Sequence, residues 1–153
     1  MTVAEYLQSR DVWFSTHTHD PAYTAQEVAA TQHVNGQYVA KSVVVRTGDG
    51  WALCVLPAPR KLDFQKAATA LKTRELRLAH ETELAKLFPD VEVGAEPPFG
   101  NLYDMPTLVD EALTVDEEIV FPAGTHRESL RMKYADYARL VQPTVADLAV
   151  RSA

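Results

Sequence analysis

The sequence predicts a single mixed α/β domain, on three observations. Residues 39–46 (VAKSVVVR) and 51–56 (WALCVL) are apolar, β-branched runs joined by Thr47-Gly48-Asp49-Gly50, the pattern of a β-hairpin. Segments of helical periodicity are interspersed with these and other β-rich runs. Several predicted strands are linked by connections too short for a helical crossover, so the sheet is expected to be mixed rather than parallel and doubly wound. At 153 residues, one domain is expected to run over residues 1–153.

The elements follow in order. Thr2 with Glu5 three residues later has capping-box spacing and opens a short helix over 2–9. Residues 12–16 (VWFST) read as a strand, and His19-Asp20-Pro21 as a turn. Thr24 with Glu27 is a second capping box, for a helix to about Gln32 that Asn35-Gly36 breaks. After the hairpin, Pro57 and Pro59 end the second strand. Asp63 then caps a helix over 64–72 with Ala67, Ala70 and Leu71 at helical spacing. Residues 76–78 form a short strand, and 80–88 a helix with Leu84, Leu87 and Phe88 on one face. Residues 91–101 form a Gly/Pro-rich loop. Strands are expected at 107–110, 118–121 and 129–133, with a turn at 123–126 and a closing helix over 134–140.

Composition excludes several classes. Hydrophobic content of 46% with 24% charged residues is that of a globular chain, not a disordered one. No apolar run approaches the ~18–20 residues that span a bilayer, and the N-terminal residues lack the apolar core of a secretory signal, so no membrane partner and a cytoplasmic location are expected. The net charge of −6 argues against a protein that coats DNA or RNA by bulk electrostatics, yet leaves room for one that touches only an RNA end. Cys54 is the single cysteine, which excludes an internal disulfide.

Candidate chemistry lies at four places. Lys41 shares a strand face with Val39, Val43 and Val45, so it either snorkels to a rim or stands as a cation in a partly dry pocket, ready for a phosphate or an oxyanion. The loop Gly94-Ala95-Glu96-Pro97-Pro98-Phe99-Gly100-Asn101 combines glycines that let backbone approach a ligand with prolines that stiffen it; a structural turn is the plainer account. His126 follows the turn Ala123-Gly124-Thr125 and is a base, a ligand or a surface group. His17, His19 and Asp20 raise a metal reading, but no zinc-helix motif accompanies them and no metal is assigned. Cys54, between Leu53 and Val55, reads as a small core residue.

The order of these features carries more than any one of them. The series His19-Asp20-Pro21…Thr24, Val39-Ala40-Lys41-Ser42, Val55-Leu56-Pro57-Ala58, Leu62-Asp63, residues 94–100, Val109-Asp110-Glu111-Ala112-Leu113 and Ala123-Gly124-Thr125-His126 resembles the YbaK/ProX family. That family comprises stand-alone relatives of the editing domain of bacterial prolyl-tRNA synthetase, and the resemblance covers about residues 15–148. It implies a curved mixed β-sheet surrounded by helices, and hydrolysis of the ester between an amino acid and the 3′-terminal adenosine of tRNA. It also implies a catalytic set, Lys41, Gly94, Pro98 and Gly100, and a substrate-contacting set, Thr24, Ala95, Phe99, Asn101, Asp110, Gly124 and His126.

That chemistry needs no cofactor. An activated ester requires a placed water, a stabilised oxyanion and a held adenosine. Backbone N–H groups of residues 94–100 are expected to supply oxygen contacts, and Lys41 charge compensation. The residues name no general base; the resemblance implies assistance by the substrate's ribose 2′-OH. Lys41, Arg60, Lys61, Lys66, Arg127, Arg131 and Lys133 are expected to form a local patch for the acceptor end. The expected substrate is a small misacylated residue, alanine ahead of serine, threonine or cysteine, on proline tRNA. Prolyl-tRNA synthetase or another translation factor is the implied protein partner. Two rival readings stand beside this one: a non-catalytic module that binds aminoacyl-tRNA or aminoacyl-adenosine, and a metal-dependent hydrolase using His17, His19 and Asp20.

Overall fold

A computed structural model describes residues 1–21 and 38–151. The helix expected from Thr24, its Asn35-Gly36 break and Thr24 itself lie outside the described residues.

Local chemistry sets the element ends. Helix α1 (Val3–Ser9) starts at the Thr2–Glu5 capping box, in which each side chain bonds the other's backbone N–H. Strand β1 is Phe14–Thr18, two residues later than expected, because Phe14 packs toward the core while Trp13 stays half exposed. Strands β2 (Ala40–Thr47) and β3 (Trp51–Pro57) form the expected hairpin, with Thr47 Oγ1 accepting from the Gly50 N–H across the turn. Asp63 caps helix α2 (Phe64–Leu71), which ends at a left-handed Lys72. Strand β4 (Leu76–Leu78) and helix α3 (Glu81–Leu87) follow. Then come β5 (Thr107–Asp110), β6 (Glu118–Pro122), β7 (Glu128–Lys133) and α4 (Tyr134–Val141). A final short strand, β8 (Thr144–Ala146), is one the sequence reading did not anticipate.

The strands make a mixed α/β fold, as expected. One sheet has order β4-β2-β3-β5-β8, antiparallel in its first half and parallel from β3 to β8; the other has order β1-β7-β6 and is antiparallel. A parallel bridge between Val39 and Val120 brings the start of β2 alongside β6.

Two cores lie on opposite faces of the larger sheet. Ala40, Val44, Leu53 and Val55 face a large core that also takes Ile119 and Phe121 of β6, Leu130 and Met132 of β7, and an aromatic group around Phe99. Phe99 is fully buried, edge-on to Tyr6 and Tyr137 and tilted against Phe121. Val45, Ala52, Cys54 and Leu108 face a smaller core closed by Ala67 and Leu148. Lys41 alternates with Ala40 and so lies on the smaller core's face of β2.

At the far end of the larger sheet, Arg77 holds Glu83 through two hydrogen bonds of 2.8 and 3.0 Å and so ties β4 to α3. The Arg77 guanidinium, helped by the His80 N–H, holds the Glu83 carboxyl down at about 2, against its ordinary 4.5. Because the folded value lies below the unfolded one, this contribution is complete above pH 4.5 and is lost as pH falls through about 2. Thermal melts of wild type and Glu83→Gln should therefore differ most above pH 4.5 and converge toward pH 2.

Candidate active site at the end of strand β6

Strand register assembles a row of side chains that are remote in sequence. On β1, β7 and β6, His17 pairs with Ser129, and Ser129 with Pro122. All three lie on the sheet face opposite the large core, since Leu130 and Phe121 point into that core. The Val39–Val120 bridge extends the same face onto β2: Lys41 lies two residues past Val39, as Pro122 lies two past Val120. His17, Ser129 and Pro122 thus stand at one level on adjacent strands, and Lys41 lies two residues past the isolated bridge that joins β2 to β6. Lys41 is half-buried, and burial lowers its ammonium pKa from 10.5, with repulsion from Lys61 adding to the shift.

The Gly/Pro loop is stitched to the end of β6, beyond Pro122. The Gly124 N–H donates to Ala95 O at 3.0 Å, and the Glu92 N–H donates to Gly124 O at 2.9 Å. The His126 N–H donates to Glu92 Oε1 at 2.7 Å, while its ring Nε2 lies 2.9 Å from Val93 O. A carbonyl only accepts, so Nε2 carries the ring proton. Gly94 and Gly124 both have φ of +94°, where an L side chain is strained, and a Cβ on Gly94 would sit 3.3 Å from His126 Cε1. The structure therefore brings Gly94, Ala95, Gly124 and His126 together, with His126 as a clamp on the loop.

The expected row of loop N–H donors is not what forms. The Gly94 N–H donates to Glu96 Oε1, Ala95 N–H to Glu92 O, Phe99 N–H to Pro97 O, and Gly100 N–H to Thr107 Oγ1. Pro97 and Pro98 have no N–H. Among the described residues, the Glu96 N–H is the one donor of residues 94–100 left without an internal acceptor. Ser42, next to Lys41, likewise has a buried hydroxyl oxygen with no partner.

Several residues expected to contact substrate also hold the fold together. Phe99 is an aromatic core residue, so its ring is spent on packing. Gly100 is required by space, since a Cβ there would strike Thr107 Oγ1 and the Met105 carbonyl. Pro98 O accepts from the buried Tyr137 hydroxyl at 2.8 Å, and Asn101 Nδ2 donates to the Tyr6 hydroxyl at 3.2 Å. Asp110, 2% exposed, accepts from the backbone N–H groups of Leu148 (2.8 Å), Ala149 (3.2 Å) and Ala112 (3.1 Å). Its carboxylate joins β5, the following 3-10 turn (Glu111–Val115) and the C-terminal segment. The expected cationic patch is also depleted, because Lys66 pairs with Asp147 at 3.0 Å and donates to Ala149 O.

Sequence reasoning missed Ser129, which is fully buried, and placed His17 only in the metal reading. The alternation in Ser129-Leu130-Arg131-Met132 was the available signal; the pairing partner was not readable. Among the described residues, no three His, Cys, Asp or Glu side chains gather as a metal site, and no helix is long and apolar enough to cross a membrane. Cys54 is fully buried, and burial pushes its thiol up to about 12. It should resist an aromatic disulfide reagent in the native protein and react at once on unfolding, measured as released thiolate colour.

The described residues thus combine a half-buried lysine on β2 with a Gly/Pro loop clamped to the end of β6 on a mixed sheet. Residues 19–140 match the family described as the aminoacyl-tRNA editing domain. The chain belongs to that family. It is 30% identical to the prolyl-tRNA editing protein ProX of Acetoanaerobium sticklandii over 130 residues, covering 81% of this chain and 79% of that protein. It is 29% identical over 140 residues to the multifunctional Ser/Thr-tRNA deacylase ProXp-y of Escherichia coli K12, covering 88% and 83%. Among solved structures, a candidate trans-editing enzyme for prolyl tRNA synthetase superposes with a TM-score of 0.87 at 26% identity, over 97% of this chain and 95% of that one.

Proposed function

We propose that this chain hydrolyses the ester of a misacylated small amino acid on tRNA, acting in trans at the row formed by Lys41, Pro122, Ser129 and His17. The observation that carries the reading is Lys41 itself: a half-buried, partly desolvated cation on β2, two residues past the bridge to β6, the strand whose end carries the Gly94–His126 clamp. Lys41 stabilises the negative charge that develops on the ester carbonyl, or the adjacent phosphate, and it does so more strongly than in water because it is half-buried. In this reading the Glu96 N–H, free of an internal acceptor between Ala95 and two prolines, donates to the same oxygen. Gly94, Ala95, Gly124 and His126 fix that donor in place, so they position rather than touch. Ser129 and His17 border the amino-acid end of the substrate and set its size and polarity.

Alanine on proline tRNA is the favoured substrate, with serine and threonine next. A narrow site that accepts a small residue distinguishes one methylene by about 1–3 kcal/mol, or roughly 10–200-fold. The test is kcat/KM for one tRNA(Pro) charged in turn with alanine, serine, threonine and cysteine. Alanine should lead; a lead for serine or threonine would reassign the substrate, as the similarity to ProXp-y allows. Association with prolyl-tRNA synthetase belongs to the same proposal, and adding that synthetase should raise the rate on free mischarged tRNA(Pro).

A further inference from the structure

Beyond the carboxyl ends of the parallel strands β3, β5 and β8 lies a cavity of about 270 Å³, bordered by Arg60, Glu111, Ala112, Asp147, Ala149 and Arg151. In open α/β sheets the space beyond such strand ends is the usual place for a ligand. Lys41, Gly94 and His126 do not border it, so it is separate from the candidate active site. Main-chain bonds fix its walls. Asp110, which also lines it, accepts from the Ala112 N–H on one side and from the Leu148 and Ala149 N–H groups on the other. The Val150 N–H donates to Lys61 O at 2.8 Å, and the Arg60 N–H donates to Pro57 O at 2.9 Å. The cavity is therefore preorganised.

Arg60 and Arg151 bring guanidinium groups to this space, and Glu111 and Asp147 bring carboxylates. Among the described residues, Arg60, Arg151 and Glu111 form no ion pair, while Asp147 is held by Lys66 through Oδ1 alone. Opposite charges thus border one small cavity without meeting across it, and Arg60 is half-buried while Glu111 and Arg151 are open to a ligand. A phosphate would satisfy the guanidiniums but face two carboxylates. A metal ion would face two guanidiniums, and the described carboxylates do not gather as a metal site. A zwitterion meets both sets: its carboxylate takes the guanidinium fork, and its ammonium donates to the acidic side chains. The volume lies below the ~300–1,000 Å³ of pockets for drug-sized ligands, which suits a small molecule.

We propose that this cavity binds a free α-amino acid with a small side chain, its carboxylate on Arg60 and Arg151 and its ammonium on Glu111 and Asp147. An aminoacyl ester has no free carboxylate, so the site takes the free amino acid and is not a second place for aminoacyl-tRNA. The proposal stands apart from the deacylase reading, and its test needs no tRNA. Calorimetric titration of the full chain with alanine should show saturable binding. Alanine methyl ester keeps the ammonium and propionate keeps the carboxylate, and each should bind at least about tenfold more weakly than alanine. Arg151→Gln and Glu111→Gln, both at exposed positions, should each weaken alanine about tenfold with the melting temperature retained. Absence of saturable alanine binding, methyl ester or propionate bound as tightly as alanine, or variants that bind alanine as wild type does would each overturn it. A chain that binds alanine in this way but releases no amino acid from tRNA would defeat the deacylase reading while sustaining the amino-acid site.

Discussion

Lys41→Met should reduce deacylation about 10²–10³-fold while leaving the melting temperature within a few degrees of wild type. The methionine keeps most of the length of the side chain beside Leu56, its register partner, but removes the charge. Loss of one preorganised electrostatic contact to a developing oxyanion typically costs that much in kcat. Removing the charge also relieves a desolvated ammonium that Lys61 repels, so the fold should be at least as stable. Lys41→Arg should recover little, because the broader guanidinium does not replace a point charge at the same place. Single-turnover release of labelled amino acid, with a thermal melt on the same sample, checks both halves. Full activity in Lys41→Met would remove Lys41 from the mechanism.

The second large effect is on stability. Asp110→Ala should destabilise the chain by about 3–5 kcal/mol, because it deprives three backbone N–H groups of their acceptor, two of them in buried residues. For a chain of this size that is a fall of roughly 10 °C or more in Tm. Asp110→Asn retains one carbonyl oxygen and should lose less. A melting curve and kcat/KM together separate this account from one in which Asp110 touches substrate: the latter predicts lost activity at an unchanged Tm.

These two residues also show what a single sequence discloses. Lys41 was legible because a charge inside VAKSVVV breaks an otherwise apolar strand face, and alternation alone assigns that face. The hairpin was legible for the same local reason, with Gly48, Asp49 and Gly50 marking its turn. Asp110 was found as a site candidate, but its hydrogen bonds were not legible, because its partners Leu148 and Ala149 arrive from the far end of the chain. Strand β8 escaped notice for a related reason: Thr144 and Val145 are exposed, and the strand exists through pairing with β5 rather than through its own pattern. The loop at 94–100 showed its stiffness in the prolines, but not that Thr107 and Glu96 would absorb its N–H groups. His17, Ser129 and Pro122 came together only through register, a long-range property that local periodicity does not encode.

A deacylase turns its substrate over, where a binding module merely holds it. The most direct measurement follows release of labelled alanine from Ala-tRNA(Pro), with and without the purified chain and with binding recorded in parallel. Release should run well above the buffer rate, and most of it should be lost in Lys41→Met. Tight binding of the charged tRNA with release no faster than in buffer would contradict it and leave a binding module in its place.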